Sequence, residues 1–205
     1  SWQPKELVAV IGTHQSREWS RLRHLIFHPS GDYFLTEPEE GRNGIWSTRG
    51  LNRVTESGEP GFPDGTWNGW PQFSADGTCV FTATGRYSGD FTQPDRPTFR
   101  LVASRPTHKV TNDAQSSQVV TPDGKWLLIA GGPHGILEAW DVTGDGYRFV
   151  SEIPCPEDCH PYKLELSNDG KRLAIFVVHP TGRPSHRIQL CEVNWSTADG
   201  PALKT

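Results

Sequence analysis

Apolar and polar positions along this 205-residue chain fall into short runs broken by glycine-containing turns. The clearest unit spans residues 118–142. Val119-Val120 leads into Pro122-Asp123-Gly124, and residues 125–130 lead into Gly131-Gly132-Pro133-His134-Gly135. Residues 136–142 follow and end on Trp140-Asp141-Val142. Asp-Gly between apolar runs signals a hairpin, because glycine takes the positive φ that the turn needs. The same turn recurs at Pro29-Ser30-Gly31-Asp32, Ala75-Asp76-Gly77-Thr78 and Asn168-Asp169-Gly170-Lys171, with glycine-to-glycine spacings of 46, 47 and 46 residues. A near-constant period of this length indicates a repeat architecture.

Each repeat predicts four strands. The first is short: Leu25-Ile26-Phe27, Phe73, Val119-Val120 and Leu164-Glu165-Leu166. The second follows the turn at Tyr33-Phe34-Leu35, Val80-Phe81-Thr82, Leu127-Leu128-Ile129 and residues 173–178. The third follows a variable loop at Gly44-Ile45-Trp46, Phe99-Arg100-Leu101-Val102, residues 136–142 and Ile188-Gln189-Leu190. A more polar fourth run is read at 51–55, 108–111 and 147–153. Four strands per unit make the blade of a β-propeller, so the expected fold is all-β with four-stranded antiparallel blades. The blades are placed at 22–55, 69–111, 117–153 and 161–205 of one array covering 1–205, with residues 5–11 as the outer strand of a preceding blade.

These motifs resemble the WD-repeat propeller family across essentially the whole chain. Trp140-Asp141 stands where the family's Trp-Asp pair closes the third strand, and Pro122-Asp123-Gly124 matches its first hairpin. Gly12-Thr13-His14 approximates the Gly-His pair before the innermost strand. Blade one has Trp46-Ser47 instead of Trp-Asp, and blades two and four have Leu101-Val102 and Leu190-Cys191 there. The resemblance implies a larger ring of about seven blades, shared with further blades or domains of the same full-length chain. The alternative is a closed four-bladed ring finished by residues 5–11. The resemblance also implies a non-catalytic scaffold that binds protein or peptide partners. It gives Trp46, Trp140, Asp141 and His160 structural roles, in a network of tryptophan, hydroxyl and imidazole that ties the third strand to the second strand and to a loop.

Composition narrows the functional classes. The content of 21 Gly and 17 Pro suits many turns. No apolar run approaches the ~18 residues of a membrane span. The chain has no Met and opens Ser1-Trp2, so a signal peptide is not readable. Strand alternation puts the loops between second and third strands, and those between blades, on one face. They are longer and more varied than the turns opposite, as expected of a binding surface on a rigid scaffold. That face carries six basic and eleven acidic residues in a chain of net charge −4. Nucleic acid, which needs clustered Lys and Arg, is therefore not an expected partner.

The candidate binding residues on that face are Trp19, Arg42, Arg86, Tyr87, Phe91, His134 and Arg183, each read as a loop residue with interface chemistry. Residues 85–98 form the longest expected loop inside a blade. The competing class is a propeller enzyme or accessory domain of lactonase, glycosidase or peptidase-associated type, with a site at the axial channel. It would need converging acids, a metal cluster or a nucleophile. The chain has no Gly-x-Ser-x-Gly elbow, and its acids and loop histidines come singly from different loops. Asp64-Gly65-Thr66-Trp67 lacks the spacing of a glycosidase Asp-box.

Cys155, Cys159 and His160 admit three readings: a variant haem attachment, a metal site short of a fourth ligand, or an ordinary inter-blade loop. The loop is the default, and no cofactor is expected. Cys79 and Cys191 fall in strands as small hydrophobes. Four cysteines make no disulfide scaffold. Compartment stays open, with sparse cysteine use pointing toward the cytoplasm.

Overall fold

The computed structural model describes residues 20–62, 71–82, 84–106, 108, 117–131, 136–155, 160–178, 186–196 and 200–204. Blade one comprises β1 (Leu22–Phe27), β2 (Tyr33–Pro38), β3 (Gly44–Ser47) and β4 (Arg53–Glu56). Blade two comprises β5 (Gln72–Phe73), β6 (Cys79–Phe81), β7 (Gly85–Asp90) and β8 (Thr98–Ser104). Blade three comprises β9 (Ser117–Val120), β10 (Trp126–Ala130), β11 (Ile136–Asp141) and β12 (Arg148–Pro154). Blade four comprises β13 (His160–Leu166), β14 (Arg172–Val178), β15 (His186–Asn194) and β16 (Ala202–Lys204). Each blade is an antiparallel sheet paired in chain order, and the whole is a β-propeller.

The repeated turn sets the register of every blade. Gly31, Gly77, Gly124 and Gly170 have φ of 76°, 73°, 69° and 70°, the left-handed region that favours glycine. In blades two to four a hydroxyl and an aspartate lock the turn. Ser74, Thr121 and Ser167 each donate to the aspartate two residues on at 2.6 Å. That aspartate Oδ1 also accepts the N–H of Thr78, Lys125 or Lys171. Hydrogen bonds from Ser74 and Ser167 hold the Asp76 and Asp169 carboxyls below their ordinary range. Blade one substitutes His28 and Ser30 at these two positions, joined at 2.9 Å.

With the turns fixed, side chains three residues past each glycine face the preceding blade, and those four past it face the following one. Three apolar clusters result, one per seam. Tyr33, Leu35 and Ile45 pack with Phe62, Val80, Tyr87 and Phe99 between blades one and two. Phe81 packs with Leu127, Ile129, Trp140 and Val142 between blades two and three. Leu128, Ala130, Leu137 and Ala139 pack with Leu164, Leu173, Ile175 and Cys191 between blades three and four.

Blade two departs from the sequence expectation. Residues 85–90 are its third strand and not a loop, and Thr98–Ser104 is its fourth strand and not its third. The fourth strand expected at 108–111 is therefore displaced. The physical reason is register: Val80 pairs with Tyr87 just as Leu127 pairs with Trp140 and Phe34 with Trp46. Tyr87 thus fills the tryptophan position, and Cys191, opposite Leu173, fills it in blade four.

Leu128 is fully buried at the third seam. Leu128→Ala is expected to cost about 2–5 kcal/mol, read as a lower urea midpoint at unchanged slope.

Candidate functional site

On the face that carries the Asp-Gly turns, a cleft of about 520 Å³ opens between blades one and two. Blade one contributes His28, Asp32 and Tyr33 from its first turn, and Ser47, Arg49 and Asn52 from its second hairpin. Blade two contributes Phe91, Pro94 and Asp95 from the β7–β8 connection.

The floor is aromatic. The Phe91 ring lies 4.4 Å from His28 and 5.1 Å from Tyr33, centroid to centroid, and 5.6 Å from Phe99 in the core below. Tyr33 donates to the Pro94 carbonyl at 3.3 Å, fastening the loop of blade two to blade one. Burial, then the Asp32 carboxylate, acts against Arg49 to push the Tyr33 phenol above its ordinary range, with Asp95 adding to the rise.

His28 is the peg of the seam. Its Nε2 lies 3.1 Å from the Gly77 carbonyl, which can only accept, so Nε2 carries the proton. Nδ1 is then the acceptor for the Ser30 hydroxyl and N–H. A Cβ at position 77 would stand 2.3 Å from His28 Nε2, so glycine there serves both the turn and the peg.

The rim is charged. Arg49 pairs with Asp32 at 3.1 Å, and both side chains are exposed, so the pair is weak and leaves the guanidinium adaptable. Asp95 makes no ion pair among the described residues. The cleft thus offers an aromatic floor beside a carboxylate, with Ser47 and Asn52 as hydrogen-bonding groups.

The residues singled out from sequence are scattered. Trp19, His134 and Arg183 lie outside the described residues. Arg42 is on the long-loop face, paired with Glu56 at 3.2 Å. Arg86 and Tyr87 sit in β7, which corrects their reading as loop residues. Tyr87 is buried in the first seam. Arg86 crosses the second seam, donating to the Val142 carbonyl at 2.8 Å and the Gly144 carbonyl at 2.6 Å. Phe91 lines the cleft, on the opposite face from the one expected. His28 and Asp95 were missed. The signal for His28 was the departure of His28-Pro29-Ser30-Gly31 from the Ser/Thr-x-Asp-Gly pattern of the other turns.

Of the expected structural network, Trp46 Nε1 donates to Thr36 on the neighbouring strand at 2.9 Å. Trp140 Nε1 donates to the fully buried Glu138 at 3.1 Å, and Glu138 also meets His108 Nδ1 at 2.8 Å. His108 enters from the connection between blades two and three and stacks on Phe149 at 4.1 Å. Asp141 and His160 do not share this network. Asp141 accepts from the Thr143 N–H and hydroxyl and pairs with Arg148, all within its own hairpin. Those Thr143 bonds, then Arg148, lower its carboxyl to about 2. His160 begins β13, and its Nδ1 is buried with no hydrogen bond among the described residues.

Among the described residues no group of three or more His, Cys, Asp or Glu side chains could hold a metal ion. Cys159 lies outside them, so the Cys155–Cys159 readings stay open. Burial raises the Cys191 thiol above its ordinary range. No helix among the described residues is long and apolar enough to cross a membrane.

No protein-family model matches the chain, and no curated protein sequence matches it. Solved structures do. The fold is similar to hydrazine synthase of Kuenenia stuttgartiensis, with TM-score 0.56 and 15% identity over 90% of this chain and 49% of that one. It is similar to a functionally unknown protein of Desulfotomaculum acetoxidans, with TM-score 0.63 and 10% identity over 92% and 56%. It is also similar to TolB of Acinetobacter baumannii, with TM-score 0.54 and 17% identity over 90% and 43%. The chain spans about half the length of these proteins. At such identities the likeness shows the fold alone: this is a β-propeller protein.

Two outcomes follow from these contacts. Asp141 has a folded value near 2, below its ordinary 3.8. Its stabilisation is therefore fully present above about pH 4 and is lost as pH falls toward 2. Asp141→Asn is expected to flatten that part of the stability–pH curve, followed by urea midpoints between pH 6 and 2. Arg86→Met removes two carbonyl-bound donors from the second seam. It is expected to cost about 1–3 kcal/mol, measured by the same denaturation.

Proposed function

We propose that this chain is a non-catalytic scaffold that binds a segment of a protein or peptide partner, as its WD-repeat resemblance implies, but through the turn face and not through the long-loop face expected from the sequence. The observation that carries the reading is the cleft between blades one and two, with an aromatic floor and a carboxylate at its side. Propeller blades hold such a site rigid while the connecting loops vary its chemistry.

The cleft suits a side chain with an apolar stem and a cationic head, a lysine or arginine of the partner. Its methylenes lie on Phe91 and Tyr33, and its charge meets Asp95. Ser47 and Asn52 are placed to bond the partner's main chain. The exposed Arg49–Asp32 pair can reopen to admit it, because an exposed pair costs little to break.

The reading is tested by titrating isotopically labelled protein with three short peptides that differ only at a central lysine, glutamate or norleucine. Amide shifts from the lysine peptide are expected at residues 28–33, 47–52 and 91–95. Asp95→Asn is expected to weaken that binding about tenfold. Equal response to all three peptides, or shifts confined to other residues, would contradict it.

A further inference from the structure

The cleft between blades one and two gathers charges of both signs around one phenol. Arg49, Ser47 and Asn52 come from the second hairpin of blade one, Asp32 from its first turn, and Asp95 from blade two. These pieces are pinned. Thr48 donates its N–H to the Asp32 carbonyl at 2.9 Å and its hydroxyl to the Gly31 carbonyl at 2.8 Å, tying the hairpin to the first turn. Across the cleft the Arg96 N–H donates to the Gln93 carbonyl at 3.0 Å. Pro94 and Asp95 are thus the central pair of a β-turn, where proline's fixed φ fits. The Tyr33 phenol stands between the walls, bonded to Pro94 and within the fields of Asp32, Arg49 and Asp95.

Arg49 has donors to spare. Its side chain is 83% exposed, and among the described residues one of its guanidinium N–H groups, on Nη2, meets Asp32 Oδ1 at 3.1 Å. A planar guanidinium is built for two parallel bonds to a carboxylate. The Ser47 hydroxyl and the Asn52 amide line the same wall and add donors to it. In the proposed binding mode a cationic head meets Asp95 and opens the Arg49–Asp32 pair. The guanidinium then faces the cleft, and an internal lysine offers it no anion.

We infer that the partner segment ends in the cleft on a C-terminal lysine or arginine, its α-carboxylate held by Arg49 and its side-chain charge set between Asp32 and Asp95. This rests on the cleft reading of the proposed function and extends it. Arg49 exchanges one carboxylate for another, and the released Asp32 turns to the incoming cation, so each charge of the ligand finds its opposite. The volume of about 520 Å³ lies within the range of pockets that enclose small ligands. It has room for a terminal residue and its neighbour, which suits a chain end better than a strand passing through.

The test is titration of the isotopically labelled 205-residue chain with four short peptides. One ends in lysine with a free carboxylate, one is its C-terminal amide, one ends in norleucine with a free carboxylate, and one carries lysine-glutamate at its centre. The terminal-lysine acid is expected to bind about tenfold more tightly than its amide, with amide shifts at residues 47–52 and 91–95. In Arg49→Gln the acid and the amide are expected to bind alike. That side chain is exposed, so the thermal melt is expected to stay unchanged, and the acid–amide comparison in the wild-type chain stands without the variant. Equal affinity of acid and amide in the wild-type chain would overturn the inference. It would leave the lysine-binding cleft in place if both bind more tightly than the norleucine peptide. A preference that survives Arg49→Gln, or a central lysine-glutamate peptide that binds as tightly as the terminal lysine, would overturn it as well. No response to any lysine peptide would remove the cleft reading and this inference with it.

Discussion

Apolar side chains meeting across the seams between blades are the contacts on which the other features depend. A four-stranded sheet of this size has little core of its own. Leu127, Leu128, Ile129 and Ala130 are all buried because blade three has a neighbour on each side. The run therefore reads as continuous hydrophobic sequence and not as the alternation of a half-exposed strand. A slip of one residue would exchange the two faces, so the seams require the register that the turns impose. The serine or threonine, aspartate and glycine of the turns in blades two to four supply it, and His28, Ser30 and Gly31 do so in blade one.

Polar contacts then fasten the seams. His28 reaches the Gly77 carbonyl across the first, Arg86 reaches Val142 and Gly144 across the second, and the Ser117 hydroxyl accepts the Leu164 N–H across the third. These are three different chemistries for one mechanical task. The first has a by-product. Replacing the usual Ser/Thr and Asp by His28 and Ser30 draws the histidine toward blade two, and the space between Asp32, Arg49 and Asp95 becomes the cleft. The proposed site is thus an outgrowth of the seam, held by the same residues that position the blades.

The sequence made the turns, the period and the strands of blades one and three legible, because glycine-centred turns and short apolar runs are local signals. Blade two was misread for a local reason too. Gly85, Ser88 and Gly89 are poor strand formers, and Arg86 and Tyr87 look like loop chemistry beside them. Their strand character comes from pairing with Cys79–Phe81, a property of the neighbour. The same holds for Glu138 and His108: a buried carboxylate shared between an indole and an imidazole is set by chain segments about thirty residues apart. Of the candidate site, only Phe91 was named in advance. Asp95 gave no signal of its own, since a single aspartate beside two prolines is indistinguishable from any surface loop.

If the seams are the governing interaction, the four blades share one cooperative fate. Native-state hydrogen exchange with increasing denaturant reads this directly. The account predicts that central-strand amides in β2, β6, β10 and β14 converge on a common opening free energy equal to that of global unfolding. Separate plateaus, with β10 and β14 still protected while β2 and β6 exchange through their own opening, would contradict it.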